Sequence, residues 1–173
     1  VYTEPLEGNE PGLGLDLIAD PVRGAAIYRA RDSGSVTASG RVTLLSVPVE
    51  GEWAVSLRLA VYRKDMPANT AEQRRRAFTG VINAIFLVRE MVSDIVWQDP
   101  AKPLQLRIVD TGQRDSPASA NAAEELLFDS SPLREAVVSF SERVPLEVGG
   151  RLWQFEFAAP KHYFRDATDR LLP

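Results

Sequence analysis

The chain contains no cysteine and a single histidine, and both shortages limit its chemistry. Without cysteine it forms no disulfide and offers no thiolate to a metal, so its own residues cannot supply the usual nitrogen and sulfur ligands of a zinc site. A Ser-His-Asp triad would have to use His162, and no Gly-x-Ser-x-Gly elbow presents a serine nucleophile. We therefore expect no metal centre, no hydrolytic triad and no cofactor.

Long apolar runs and a positive charge balance are also missing. No run approaches the roughly 20 apolar residues that span a bilayer, and no signal peptide pattern begins at Val1. The formal net charge of -4 argues against non-specific nucleic-acid binding, because a phosphate-binding surface needs a positive balance or a basic stripe. We expect no nucleic-acid partner.

Two carboxylate pairs and one glycine-rich segment are the remaining candidates for chemistry. Glu124 and Glu125 begin a predicted strand and would point to opposite faces, whereas Asp166 and Asp169 lie in a polar tail. The segment GLGLDL lacks both a preceding strand and the Gly-x-Gly-x-x-Gly spacing that places a pyrophosphate on a helix, so it indicates a turn. The sequence predicts no catalytic residue in this chain.

What the chain does have is ample apolar content, since 45% of its 173 residues are hydrophobic, enough for one domain or two small ones. A helix is predicted after Asp20, whose carboxylate can accept the free first-turn amides. Pro21 suits its first position, and Gly34 suits the residue beyond its end. Its predicted apolar stripe is Val22, Ala25, Ala26 and Ala30, with Ile27 beside it.

Strand patterns dominate the next part. VTLLSVPV and WAVSLRLAVY flank Glu50 and Gly51 as a predicted hairpin, and the second arm has two distinct faces. We expect one face to form core beneath the helix; its residues are Trp53, Val55, Leu57, Leu59 and Val61. The opposite face contains Ala54, Ser56, Arg58, Ala60 and Tyr62.

The rest of the chain continues the alternation of helices and strands. Thr70 and Gln73 predict a capping box before a short helix that carries Arg74–Arg76. FTGVINAIFLV follows as a predicted buried strand and REMVSDIVWQD as an amphipathic helix. Further strands are predicted at LQLRIVD, EELLFD, VVSFSERVPLEV and RLWQFEF, with a tight turn at Gly149-Gly150. Helices packed on antiparallel sheets predict an α+β fold.

Three blocks of this sequence resemble the signature of the CHASE family of extracytoplasmic sensor domains. They are YTEPLEGNEPGLGLDL, RARDSG and VYRKDMPANTAEQRRRAFTGVI, and they span Tyr2 to about Phe86. Family members usually show Tyr-x-Glu-Pro-x-x-Gly-Asn, then Ala-Arg-x-x-Gly, then Val-Tyr followed by a loop, an arginine and a glycine-containing strand. The order of the blocks is the same here, although Ala60 replaces the proline that commonly precedes Val-Tyr.

The resemblance implies two PAS-like domains in tandem. Residues 1–77 are expected to be the membrane-distal, ligand-sensing domain, incomplete at its N-terminus, and residues 78–173 the membrane-proximal domain. A missing N-terminal stalk helix and flanking transmembrane helices are implied, as are a homodimeric full-length receptor and a periplasmic or extracellular location. The chain itself is not expected to be an enzyme. The parent protein would be a histidine kinase or a diguanylate cyclase or phosphodiesterase.

The resemblance also implies a ligand site. In the cytokinin receptors of this family, polar contacts come from an acidic residue early in the helix and a threonine in the strand before Val-Tyr. Alignment places Arg23 and Arg58 there, and two guanidinium groups suit a carboxylate or phosphate better than an adenine. We expect a small, anionic ligand, bound by both arginines between apolar walls from Leu17, Leu45, Ala60 and Val81.

Other interpretations of the same residues stay open. Arg23 could point to water, and Arg58 could form a structural ion pair with Glu4 or Asp16. The Arg74–Arg76 run is expected to be a solvated face, with Arg75 or Arg76 as a candidate tie between the two domains. The apolar face of the WAVSLRLAVY strand could instead pack on the missing stalk helix. The alternative function is a ligand-free structural, dimerisation or protein-interaction module.

Overall fold

The computed structural model of the protein describes residues 2–44, 52–96, 104–114, 124–130 and 138–160. The chain divides into two compact units. The first comprises Val1–Leu87 with Val148–Arg151, and the second comprises Val88–Glu147 with Leu152–Pro173. Both contain an antiparallel sheet and helix, as the α+β prediction requires. The first unit extends to Leu87, beyond the boundary expected after residue 77.

The first unit contains a three-stranded sheet, in the order β1-β2-β3, and two helices. After a 3-10 turn at Glu10–Gly12, the elements are α1 (Pro21–Ser33), β1 (Thr37–Ala38), β2 (Ala54–Tyr62), α2 (Ala71–Ala77) and β3 (Phe78–Leu87). Of the predicted hairpin before β2, the described pairing is the bridge between Val42 and Ala54. Residues 45–51 lie outside the described residues.

Helix α1 begins and ends where the sequence predicts. The Asp20 side chain accepts a hydrogen bond from the Arg23 amide, Pro21 occupies the first turn, and Gly34 adopts a left-handed conformation with φ 72°. The predicted apolar stripe is wrong in part, because Val22 and Ala25 are exposed. The buried face consists of Gly24, Ala26, Ile27 and Ala30.

Strand β2 buries mainly the face opposite to the one expected, although Val55 of the expected face is also buried. Ala54, Ser56, Arg58 and Ala60 are buried, whereas Leu59 and Val61 are 41% and 40% exposed. The expectation that the large apolar residues form core is therefore wrong at these positions. The buried face of α1 consists mainly of small residues, and the buried β2 face is also dominated by small side chains, so short side chains meet each other.

Helix α2 carries the predicted capping box: Thr70 accepts from the Gln73 amide, and the Gln73 side chain accepts from the Thr70 amide. Strand β3 is not the buried strand that its apolar run predicts. Ile82 is 64% exposed, and Ile85 and Phe86 are also exposed. Ile82 lies opposite Leu59 in the β2–β3 ladder, so the two strands share an open apolar face.

The second unit contains α3 (Val88–Val96), β4 (Gln105–Gln113) and β5 (Glu125–Asp129), and all but the facing end residues of β6 (Val138–Val148) and β7 (Arg151–Pro160). Its sheet has the strand order β5-β4-β7-β6. Trp153 is 2% exposed and is the largest fully buried side chain of the described residues. The turn between β6 and β7 is formed by Gly149 and Gly150, both with positive φ, as the sequence predicts.

Candidate functional site

Two of the sequence blocks that carry the family resemblance meet at the C-terminal end of α1. The Tyr62 hydroxyl donates to the carbonyl oxygens of Ala30 (3.3 Å) and Arg31 (2.7 Å), and Arg74 Nε donates to the Asp32 carbonyl oxygen (2.8 Å). These bonds satisfy carbonyl groups that a helix end leaves without partners. The Ala-Arg-x-x-Gly, the Val-Tyr and the following arginine therefore form one structural cluster.

The Asp32 carboxylate adds ion pairs to this cluster. Arg75 donates to it from Nε (3.0 Å) and Nη2 (2.7 Å), and Arg31 donates from Nε (2.7 Å). Hydrogen bonds from Arg75 and then from Arg31 hold the pKa of Asp32 well below its usual range. Arg75 thus ties α2 to α1 within the first unit, while Arg76 is exposed and pairs with Glu72 on its own helix.

Arg58 is the unusual residue of the first unit. Strand β2 places it on the face covered by α1, where its exposed fraction is 1%, yet its Nε and Nη1 have no hydrogen-bond partner among the described residues. Burial, followed by the charges of Arg23 and Arg29, lowers the pKa of Arg58 to about 10, against a smaller opposing effect of Asp20. A buried charge without a partner is costly, and a functional role is one explanation for an unsatisfied buried polar group.

Asn83 on β3 lies directly opposite Arg58 in the antiparallel ladder. Its Oδ1 is buried and likewise has no hydrogen-bond partner in the described parts of the chain. Facing residues of an antiparallel pair have Cβ atoms about 4.5–5.5 Å apart, so the unpaired donors and the unpaired acceptor are neighbours. Asn83 is not among the residues predicted from the sequence. Pairing the predicted strands β2 and β3 as antiparallel neighbours would have placed Asn83 near Arg58.

Arg23 is held in place by the protein rather than pointing to water. Its Nη1 pairs with the Asp20 carboxylate at 2.6 Å, and its Nη2 donates to the Thr43 carbonyl oxygen at 2.7 Å. Both terminal nitrogens of Arg23 are engaged, so Arg23 acts on Arg58 mainly through its charge.

The alternative ion pairs of Arg58 do not form in the described structure. Asp16 accepts instead from the amides of Ile18 and Ala19, and Glu4 accepts from the Tyr2 hydroxyl. Among the described residues, neither carboxylate is within salt-bridge distance of Arg58.

The expected apolar walls are only partly brought together. Ala60 is buried on the same face of β2 as Arg58, and Val81 is its cross-strand partner on β3. Leu17 is half-buried in the segment before α1, and Leu45 lies outside the described residues. The sheet residues Arg58, Ala60, Val81 and Asn83 therefore form one contiguous surface facing α1.

The described residues include only some of the other candidates for chemistry. They contain no group of three or more His, Cys, Asp or Glu side chains that could hold a metal ion. Of the earlier candidates, Glu124 is exposed and Glu125 begins β5, while His162, Asp166 and Asp169 lie outside the described residues. On the face of the sheet that α1 covers, Arg58 presents unpaired donors and Asn83 an unpaired acceptor.

Comparisons with known proteins agree with the sequence blocks. No described helix is both long and apolar enough to cross a bilayer. No curated protein matches the chain. The family model of the CHASE domain matches residues 1–128, well over half of the chain. The chain therefore belongs to the CHASE family, the extracytoplasmic sensor domains of membrane-bound signalling receptors.

Proposed function

We propose that the first unit binds a small anionic molecule at Arg58 and that this binding is the signal the receptor senses. The observation that carries the proposal is the buried guanidinium with two unpaired nitrogens among the described residues. A stable fold gains nothing from such a group, since an apolar side chain of similar volume would be neutral or more stable at this position. An anion would supply the missing hydrogen bonds and neutralise the buried charge.

The charges around Arg58 favour the same class of ligand. Arg23 and Arg29 both lower the pKa of Arg58, which means that both cations act electrostatically on Arg58. Asp20 is the carboxylate that acts on the pKa of Arg58 in the opposite direction. The electrostatic influence of these cations on Arg58 favours an anion over a neutral purine.

Signalling follows from the difference between the empty and the occupied site. An anion that binds better to one arrangement of α1 on the sheet shifts the population towards that arrangement. The C-terminal end of α1 is fastened by Tyr62, Arg74 and Arg75, so α1 can respond as a rigid element. In this proposal the two units are tandem PAS-like domains of a homodimeric receptor. A kinase or cyclic-dinucleotide domain elsewhere in the receptor gives the output.

A ligand-free interaction or dimerisation module is the second candidate. The observation in its favour is the open apolar face of the first sheet, where Leu59, Val61, Ile82 and Phe86 are exposed. Exposed apolar patches of this kind mark interaction surfaces in soluble domains. Leu59, Val61 and Ile82 lie on the opposite side of the sheet from Arg58, so variants can test the two functions separately.

The test of the sensor proposal is a thermal-shift screen of carboxylates and phosphates at constant ionic strength, followed by calorimetry. We expect at least one anion to stabilise the protein and Arg58→Met to abolish that stabilisation. Arg76→Met is the matched control, because Arg76 is exposed and pairs with Glu72 within α2. If every stabilising anion binds Arg58→Met as tightly as the unchanged protein, the proposal is wrong.

A further inference from the structure

We infer that the site takes a carboxylate carrying its own hydrogen-bond donor close to the acid group, as 2-hydroxy and 2-amino acids do, and that Asn83 accepts from that donor. The inference rests on the proposed anion site at Arg58. The cross-strand neighbour Asn83 then determines which anions are selected.

The two orphaned groups do not satisfy each other. Arg58 Nε and Nη1 are donors and Asn83 Oδ1 is an acceptor, and the residues face each other across β2 and β3. All three atoms nevertheless have no partner among the described residues. The surface facing α1 therefore presents a donor side and an acceptor side next to each other.

A ligand of this surface has to satisfy both sides at once. Arginine has donors and no acceptor, so it requires acceptor oxygens, and a carboxylate fits its planar geometry with two of them. The Asn83 oxygen requires a donor, which a simple carboxylate or a fully ionised phosphate lacks. Because a buried acceptor left unpaired costs free energy, an anion without a donor is discriminated against.

The donor side and the acceptor side are close together. Facing Cβ atoms lie about 4.5–5.5 Å apart, and the two side chains extend from the same face of the sheet. A donor on the carbon next to the carboxylate is within a few bonds of the acid oxygens, which suits neighbouring rather than distant partners. Small 2-hydroxy and 2-amino acids have this compact arrangement.

The test uses matched pairs of probes, glycolate against acetate and lactate against propionate, titrated by calorimetry at constant ionic strength. The unchanged protein should bind the hydroxy acid of each pair at least about fivefold more tightly, the value of one hydrogen bond. Asn83→Leu should bind both members of a pair equally, at the affinity of the weaker one. Arg58→Met should bind neither member.

A charged variant separates loss of binding from loss of folding. Asn83→Asp places a carboxylate opposite Arg58, so we expect it to raise the melting temperature and to abolish binding of all four probes. The inference is overturned if both members of each pair bind equally to the unchanged protein, or if Asn83→Leu keeps the preference. Failure of every probe to bind the unchanged protein would also overturn this inference, whereas the proposed anion site is overturned only by the wider screen, if no carboxylate or phosphate depends on Arg58 for binding.

Discussion

In the proposed anion site, Arg58 is the residue at which stability and ligand binding make opposite demands. Its guanidinium is 1% exposed and its pKa is lowered to about 10, chiefly by burial, so the folded state contains a charge that water would solvate better. The free-energy cost of this burial is the loss of the hydration of the guanidinium. A residue that lowers the stability of the empty domain and raises its affinity for an anion has the properties of a binding residue.

We predict that Arg58→Met raises the free energy of unfolding of the empty protein by about 1–3 kcal/mol. The folded pKa of Arg58, about 10, lies below its ordinary value, so the cost is fully present below the folded pKa and is relieved as the pH rises through it. Denaturant titrations between pH 6 and 9 should therefore give a constant difference between the two proteins. A loss of stability in Arg58→Met would mean that the guanidinium has internal partners.

At the scale of elements, features set by neighbouring residues were predictable and features set by packing were not. The Asp20 cap of α1 and the capping box of Thr70 and Gln73 depend on a few consecutive residues, and both were predicted correctly. The buried face of β2 depends on what covers it. Hydrophobicity alone favoured Leu59 and Val61 as core, but α1 packs against the face that carries Arg58 and its small neighbours.

The close packing at the start of α1 depends on Gly24. A Cβ atom at this position would overlap the backbone carbonyl oxygen of Ile18, which cannot move as a side chain can. We predict that Gly24→Ala destabilises the protein by about 1–3 kcal/mol, despite the better helix propensity of alanine. Gly12→Ala is the control, because nothing lies within 4 Å of its added Cβ. Equal unfolding free energies for the two variants, from urea titrations, would contradict the predicted overlap.

Only part of the candidate site was predictable from the sequence. Arg58 and Ala60 were identified from the family resemblance and share one buried face, which the alternation of β2 explains. Asn83 was missed because its position depends on the register between β2 and β3 across the intervening α2. Arg23 was identified, but its pairing with Asp20 and Thr43 arises from tertiary contacts that a single sequence does not show.

At the scale of the whole molecule, the division of the chain follows strand pairing rather than sequence composition. β3 pairs with β2 along its length, so the first unit extends to Leu87 and takes in the strand that was expected to open the second domain. This pairing also brings Asn83 into the same unit as Arg58. Cutting the chain before Phe78 would separate the two residues on which the proposed ligand selectivity depends.

The stability of the whole molecule in acid should depend on Asp32. Hydrogen bonds from Arg75 and Arg31 lower the pKa of Asp32, so its stabilising contribution is present above the unfolded pKa and is lost as the pH falls. We predict that Asp32→Asn lowers the unfolding free energy at pH 7 by about 1–2 kcal/mol, the scale of charge-assisted hydrogen bonds. The difference from the unchanged protein should shrink steadily below about pH 4.

Asp65→Asn provides the control for this pH dependence. Asp65 is exposed in the loop after β2 and forms no ion pair among the described residues. Its substitution should therefore leave the decrease of the unfolding free energy at acid pH unchanged. Urea titrations from about pH 3 to 7 would measure both variants against the unchanged protein. A pH-independent loss in Asp32→Asn would show that Asp32 acts through packing, because only an ionised carboxylate gives a contribution that protonation removes. The ion pairs of Asp32 would then not stabilise α1. The hydrogen bonds that Tyr62 and Arg74 donate to backbone carbonyl oxygens would remain as side-chain contacts at its C-terminal end.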